Sequence, residues 1–151
     1  GSIREEIFGL STRRRRKVKM EIYKIKGINI NEIEKDSPLG KWYFEMVKKN
    51  EKELTLRDIS HMLRQNVYLD IAIPISYTML LRDPFCGELY EGEILELVIR
   101  VLEANPEMRD YDFYNRFSGK VNEAFLTCEE DNSGRAEYKS AISKLETIYA
   151  D

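Results

Sequence analysis

The sequence predicts an all-α fold, a single-domain bundle of about five to seven helices. Apolar residues recur at intervals of three and four along most of the chain, and a cap residue followed by proline begins two of these segments. No alternation of apolar and polar residues typical of a β-strand follows residue 35. With 151 residues, of which 42% are hydrophobic, the chain can bury one core of ordinary size.

The segment that follows residue 19 is the least regular. Its isoleucines fit neither a helical nor a strand period, and Gly27 interrupts the run. They are Ile22, Ile25, Ile28 and Ile30. We therefore expect a short strand or an irregular segment near residues 20–30.

Three helices are predicted in the first half of the chain. Ser37 and Pro38 supply the cap and the first residue of one helix. Thr55 and Asp58 have the spacing of a capping box and begin the next. The segment 69–81 is apolar nearly all round, so we expect a third helix surrounded by others.

The third helix contains Pro74, so either the regular helix starts just before this residue or it kinks there. Asp83 precedes a proline and should end the helix, because that position disfavours helical backbone angles. A turn bracketed by Gly87 and Gly92 follows. Residues 94–102 then repeat apolar side chains at helical intervals and predict an amphipathic helix.

Two more helices are predicted in the last third of the chain. Asn105 and Pro106 should cap an aromatic helix, which Ser118-Gly119 would interrupt. Residues 138–149 have the pattern of a final amphipathic helix.

The net charge of −3 hides an asymmetry. Residues 1–19 hold seven basic and two acidic residues, which leaves seventeen basic and twenty-five acidic residues in 20–151. We interpret 1–19 as a disordered basic tail from a tag or upstream sequence, because Gly1-Ser2 resembles a protease scar and Met20 follows the basic run. If Arg13–Lys17 is native, it suits a nucleic-acid arm or an import signal. Residues 20–151 form the predicted helical domain.

The sequence offers no group suited to catalysis, so we predict no catalytic residue, no cofactor and no metal. His61 is the only histidine, and nothing near Cys86 in the sequence would lower the pKa of its thiol. These residues and Cys128 lack the spacing of a zinc site, and both cysteines are expected to be free thiols. Residues 131–134 have the composition of a calcium loop without its remaining ligands, and we expect a turn that caps the last helix.

The acidic excess is concentrated in residues 83–112, which hold nine acidic and two basic residues among aromatic ones. Such a mixture suits a basic protein partner, since the charges steer encounter and the rings anchor the contact. The alternative is a solvated acidic face over a core helix. The predicted partner-binding residues are Glu88, Glu91, Glu93, Glu96, Asp110, Tyr111 and Asp112. The same charge argues against direct nucleic-acid binding by the domain.

Membrane association is not expected. No apolar run reaches the roughly 18 to 20 residues that cross a bilayer, and no signal segment opens the chain. We therefore expect a soluble, cytoplasmic protein and favour a monomer.

A motif of caps, turns and aliphatic residues runs through residues 54–102. Its members are, in order, Leu54, Leu56, Asp58, Ile59, Leu63, Gln65, Leu69, Ile73-Pro74, Asp83-Pro84-Phe85, Gly87, Tyr90, Gly92, Glu93, Ile94 and Leu95. In order and spacing the motif resembles the middle segment of the immunity proteins of contact-dependent growth inhibition systems, which protect a bacterium from a neighbour's toxin. The departures are Asn66-Val67-Tyr68 for a glycine-rich link, Phe85 for Leu, Glu91 for Pro and Glu93 for Asp.

The resemblance implies a helical, non-enzymatic protein that inhibits a cognate C-terminal toxin domain by forming a tight complex. Many toxins of these systems resemble nucleases, so the expected partner is a basic nuclease domain that complements the acidic surface. The motif residues are scaffold and do not locate the interface. The alternatives are an adaptor domain of another helical family, a nucleic-acid binder that uses the basic tail and, last, an enzyme.

Overall fold

The computed structural model describes residues 20–127 and 135–150, and within them the fold is all-α, which confirms the predicted class. The described helices are α1 Ile22–Lys26, α2 Pro38–Val47, α3 Leu56–Gln65, α4 Leu69–Arg82, α5 Glu93–Ala104, α6 Tyr111–Thr127 and α7 Arg135–Ile148. Short 3-10 helices cover Ile30–Glu32, Glu51–Glu53 and Pro106–Met108. The predicted basic tail, Cys128 and the expected turn at 131–134 lie outside the described residues.

The chain divides into two compact units between Thr55 and Leu56. The first unit contains α1 and α2. Its second helix begins as predicted, because the Ser37 hydroxyl accepts a hydrogen bond from the Gly40 N–H at 3.0 Å.

The short strand that we considered near residues 20–30 is wrong. Residues Ile22–Lys26 form α1, which ends at Gly27 with left-handed backbone angles. The strand-like pairing in the described residues is one isolated bridge between Glu21 and Asn50, with the Ile22 N–H donating to the Lys49 carbonyl at 2.9 Å. A run of five residues is too short for its apolar period to distinguish a helix from a strand.

The second unit is organised around α5, which packs against α3, α4 and α7. The apolar face predicted for this helix is confirmed, since six of its aliphatic side chains are at most 4% exposed. They are Ile94, Leu95, Val98, Ile99, Val101 and Leu102. This buried face fixes α5 in the second unit, and two of the predicted partner-binding residues, Glu93 and Glu96, lie in its first turn.

The third predicted helix begins earlier than Pro74. Helix α4 starts at Leu69 and runs through the proline to Arg82, ending before Asp83 as predicted. A proline at this position removes one backbone hydrogen bond. The burial of Ile73 and Tyr77 on either side of it favours the helix despite that loss.

The aromatic helix α6 differs from its prediction at its start and in its middle. Asn105 instead closes α5, where its side-chain amide donates to the Val101 carbonyl at 2.9 Å, and Asp110 caps α6 by accepting from the Phe113 N–H at 3.1 Å. The helix continues unbroken through Ser118-Gly119. A mid-helix glycine costs only about 1 kcal/mol, which the burial of Phe117 in α6 outweighs.

Two buried serines of the second unit provide a matched test of packing. Ser60 in α3 is fully buried, and its hydroxyl has no hydrogen-bond partner among the described residues. Ser76 in α4 is equally buried but donates to the Ile73 carbonyl at 2.6 Å. We expect Ser60→Ala to raise the free energy of unfolding by about 1 kcal/mol, because it removes an unsatisfied hydroxyl, and Ser76→Ala to lower it by about the same amount. Urea denaturation monitored by circular dichroism measures both, and equal destabilisation would contradict the prediction.

Candidate protein-interaction site

The segment between α4 and α5, residues 83–92, forms a turn that we call the acidic loop. The chain reverses at its start because the Asp83 carboxylate accepts from the Phe85 N–H at 3.0 Å and the Asp83 carbonyl accepts from the Cys86 N–H at 3.1 Å. Farther along, the Gly92 N–H donates to the Phe85 carbonyl at 2.8 Å. These bonds fix the two ends of the loop against each other.

Two glycines make this fold of the acidic loop possible. A Cβ on Gly87 would lie 1.9 Å from the Tyr90 carbonyl oxygen, so a side chain there would force the loop open. Gly92 has a φ of +87°, a left-handed conformation that side chains other than glycine rarely adopt, and directly precedes α5. The sequence predicted the turn from both residues.

The side chain of Glu93 holds the acidic loop from inside the protein. It is 1% exposed, and one carboxylate oxygen accepts from the N–H groups of Glu88 at 2.8 Å and Leu89 at 3.3 Å. The other oxygen is paired with the guanidinium of Arg64 in α3. Glu93 was among the predicted partner-binding residues, but the structure places its carboxylate inside the protein, where it is not available at the surface.

The pKa of Glu93 reflects this environment. Burial raises the pKa, but hydrogen bonds from the Glu88 N–H, from Arg64 and from the Leu89 N–H, together with the charge of Arg64, outweigh burial and hold the pKa below its ordinary value of 4.5. The charged form of Glu93 is thus the form that the fold stabilises.

The acidic loop also rests on an aromatic cluster. The Phe85 ring lies 4.5 Å from the Tyr138 ring and 6.0 Å from the Phe125 ring, measured between ring centroids. The Tyr138 hydroxyl donates to the Pro84 carbonyl at 2.7 Å. Helices α6 and α7 therefore pack against the start of the loop through Phe125 and Tyr138.

The outer side of the acidic loop presents an aliphatic and an aromatic side chain between carboxylates. Leu89 is 66% exposed and Tyr90 is 50% exposed. Glu88 and Glu91 flank them, and the Tyr90 hydroxyl donates to the exposed Glu96 carboxylate at 2.6 Å. This hydrogen bond and partial burial raise the pKa of Tyr90 to about 12. Leu89 was not among the predicted partner-binding residues, although it is an isolated large aliphatic residue in an acidic turn.

The remaining predicted partner-binding residues lie elsewhere. Asp110, Tyr111 and Asp112 form the start of α6, beyond the opposite end of α5 from the acidic loop. The twelve residues of α5 span roughly 18 Å at the usual rise per residue. The seven residues therefore do not form one patch, because six of them are divided between two exposed groups and Glu93 is buried.

The Cys86 thiol is poorly suited to act as a nucleophile. Burial and the nearby Asp83 carboxylate raise the pKa of its thiol to about 11, so the thiol is protonated at neutral pH. His61 lies half-buried on α3. Within the described residues no cluster of three or more potential metal ligands occurs, and no described helix has the length and apolar character of a membrane span.

We expect Glu93→Gln to lower the free energy of unfolding by about 2 kcal/mol at pH 7, because glutamine keeps the shape but leaves the Arg64 charge unpaired. The depressed pKa gives the sign of the pH dependence. The wild-type advantage is fully present above the ordinary pKa of 4.5 and disappears as the pH falls through the lower folded-state value.

Urea denaturation between pH 3 and pH 7 measures this difference. Glu103→Gln, an exposed acid on the same helix, is the matched control and should change stability by less than about 0.5 kcal/mol. A Glu93→Gln deficit that did not shrink with acidification would contradict the assignment.

Comparison with known proteins identifies the family to which the chain belongs. A family model described as CDI immunity proteins matches residues 24–111, more than half of the chain. The match contains all of α3, α4 and α5 and the acidic loop, and it confirms the resemblance noted for residues 54–102. No curated protein and no solved structure matches the chain significantly. The chain belongs to the CDI immunity proteins, the immunity family of contact-dependent growth inhibition.

Proposed function

We propose that this protein neutralises the C-terminal toxin domain of a contact-dependent growth inhibition system by binding it tightly and without catalysis. The partner is a basic domain, a nuclease in the expected case, and the acidic loop together with Glu96 is the contact surface. The protein acts as a monomer in the cytoplasm, where a delivered nuclease would find its substrate.

The observation that carries the proposal is the exposure of Leu89 and Tyr90 in a loop whose backbone is fixed from within. Binding energy at protein interfaces is concentrated in a few central aromatic or aliphatic side chains. A ring at 50% exposure, surrounded by carboxylates, has the chemistry of such a central residue. Single exposed hydrophobic residues are common, whereas contiguous apolar surface marks interaction sites, and Leu89 and Tyr90 are adjacent.

The charges around this anchor support a basic partner. Glu88, Glu91 and Glu96 place three carboxylates close to Leu89 and Tyr90 in sequence. Glu88 forms an ion pair with Arg57 at 3.8 Å, and the Arg57 side chain is 68% exposed. Such an exposed pair contributes little energy, so the local field stays negative and would steer a lysine- and arginine-rich groove towards the loop.

The rigidity of the loop supports tight binding. Loops that are ordered only on binding lose conformational entropy at that moment, which weakens the complex. Here Glu93, Arg64 and the aromatic cluster fix the loop before a partner arrives. A nuclease groove covered by this loop would lose access to its nucleic-acid substrate, so inhibition requires only occupancy.

Charge reversal tests the electrostatic part of this proposal. We expect Glu91→Lys with Glu96→Lys to lower the association rate for the toxin domain encoded directly upstream by at least about tenfold at low salt, and to weaken its salt dependence. Stopped-flow or surface plasmon resonance measurements at several ionic strengths give both quantities.

The matched control reverses two exposed acids away from the acidic loop, Glu103→Lys with Glu146→Lys. This control has the same net charge as the test variant, so it separates local from overall charge. Equal association rates for the two double variants would place the interface elsewhere.

Truncation of Tyr90 tests the anchor. We expect Tyr90→Ala to raise the Kd for the toxin domain about thirtyfold, equivalent to about 2 kcal/mol, and to abolish growth rescue when toxin and immunity protein are co-expressed at matched levels. Tyr90→Phe keeps the ring and loses only the bond to Glu96, so its Kd should stay within about threefold of the wild type. Full rescue and unchanged affinity in Tyr90→Ala would rule out Tyr90 as the anchor.

A further inference from the structure

We infer that a groove between α4 and the segment 108–113 is a second contact for the toxin and receives an arginine or lysine side chain from it. This inference rests on the proposed function and adds a second, chemically defined subsite. The groove has a volume of about 700 Å³ and lies wholly within the second unit. It shares no lining residue with the pocket at the acidic loop.

The floor of the groove is apolar and fixed. Leu69, Ile73 and Leu81 of α4 line it together with Tyr77 and Phe113. The Tyr77 and Phe113 rings stack with 4.1 Å between their centroids, and the Tyr77 hydroxyl donates to the Met108 carbonyl at 2.8 Å. Such a floor can bury the aliphatic stem of a long side chain without rearrangement.

The rim of the groove is negatively charged. Asp70 of α4, the capping residue Asp110 and Asp112 of α6 line it, against one lining base, Arg109. The Arg109 guanidinium is occupied by backbone carbonyls, since it donates to Pro106 at 2.9 Å and to Ile148 at 3.1 Å. Asp112 also forms an ion pair with Arg116 at 3.3 Å, but both side chains are well exposed and such a pair contributes little energy. The rim therefore keeps a negative charge that favours a cationic occupant.

The shape of the rim also suits a guanidinium or ammonium group. Tyr111 is 46% exposed at the edge of the groove, and the Arg109 guanidinium carbon already lies 5.7 Å from the centre of its ring. An aromatic ring beside carboxylates is the environment in which a cation gains both ion pairing and a cation–π contact. An apolar floor under an acidic, aromatic rim therefore matches a long side chain with an apolar stem and a charged end.

Filling the groove tests the inference. Thr78 lines it from an exposed position on α4, where its hydroxyl contacts the Pro74 carbonyl at 3.4 Å. Thr147 on α7 is also exposed and makes the same kind of contact to the Ser143 carbonyl at 3.1 Å, outside the groove. We expect Thr78→Trp in the full chain to raise the Kd for the toxin domain at least tenfold, and Thr147→Trp to leave it within about twofold.

A second pair of variants keeps the test decisive if tryptophan disturbs folding. Asp70→Asn and Asp112→Asn remove charge at the rim with little change in shape, and each should raise the Kd about three- to tenfold and weaken its salt dependence. Circular dichroism and melting temperature verify the fold of every variant. Folded Thr78→Trp and Asp112→Asn proteins with wild-type affinity would overturn the inference.

The outcomes separate this inference from the proposed function. If Tyr90→Ala weakens the complex but no groove variant does, only the second subsite is lost. If the wild-type protein does not bind the toxin domain at all, the proposed function itself fails.

The chain's own basic run is the competing occupant. Replacing Arg13, Arg14, Arg15 and Arg16 with glutamine in the full chain should leave the Kd unchanged if the groove receives the toxin. Tighter toxin binding after this change would assign the groove to the chain's own tail and overturn the inference.

Discussion

The buried carboxylate of Glu93 is the interaction on which the acidic loop depends. It joins three parts of the second unit, because it accepts from the backbone of the loop, belongs to α5 and pairs with Arg64 of α3. An unpaired charge at this depth would be strongly unfavourable, so the carboxylate is stable only while all of these donors are in place. The geometry of the loop and the packing of α3 against α5 are thus coupled through one side chain.

This coupling explains how one short segment can contain both a buried residue that orders the loop and exposed residues that are free to contact a partner. The acid that follows the left-handed Gly92 faces inward and orders the turn, while Leu89 and Tyr90 on the same turn face outward. The family match covers this whole arrangement. An immunity protein that works by occupying its toxin needs a surface that is shaped before the encounter, and internal hydrogen bonds to a loop backbone provide that shape.

The acidic residues serve different purposes according to their position. Asp110 caps α6 and Glu93 orders the loop, whereas Glu91 and Glu96 are exposed at the surface. The exposed acids form two groups, one on and beside the acidic loop and the other at the rim of the groove. Two separated acidic contacts on one rigid unit would favour a partner with basic groups at a matching distance, which adds selectivity to attraction.

Local sequence determined most of the helices, although it missed α1 and the start of α6. Ser37-Pro38, Asp83-Pro84 and the periodic apolar face of α5 specify structure through interactions within a few residues, and the family motif lies in the same caps and turns. Only the tertiary structure decided which charged side chains are buried and which are paired. Arg64 and Glu93 are 29 positions apart in the chain, and no local pattern shows that they meet or that Glu93 is buried. A count of acidic residues gives the sign of the field, but the directions of their side chains follow from how the helices pack.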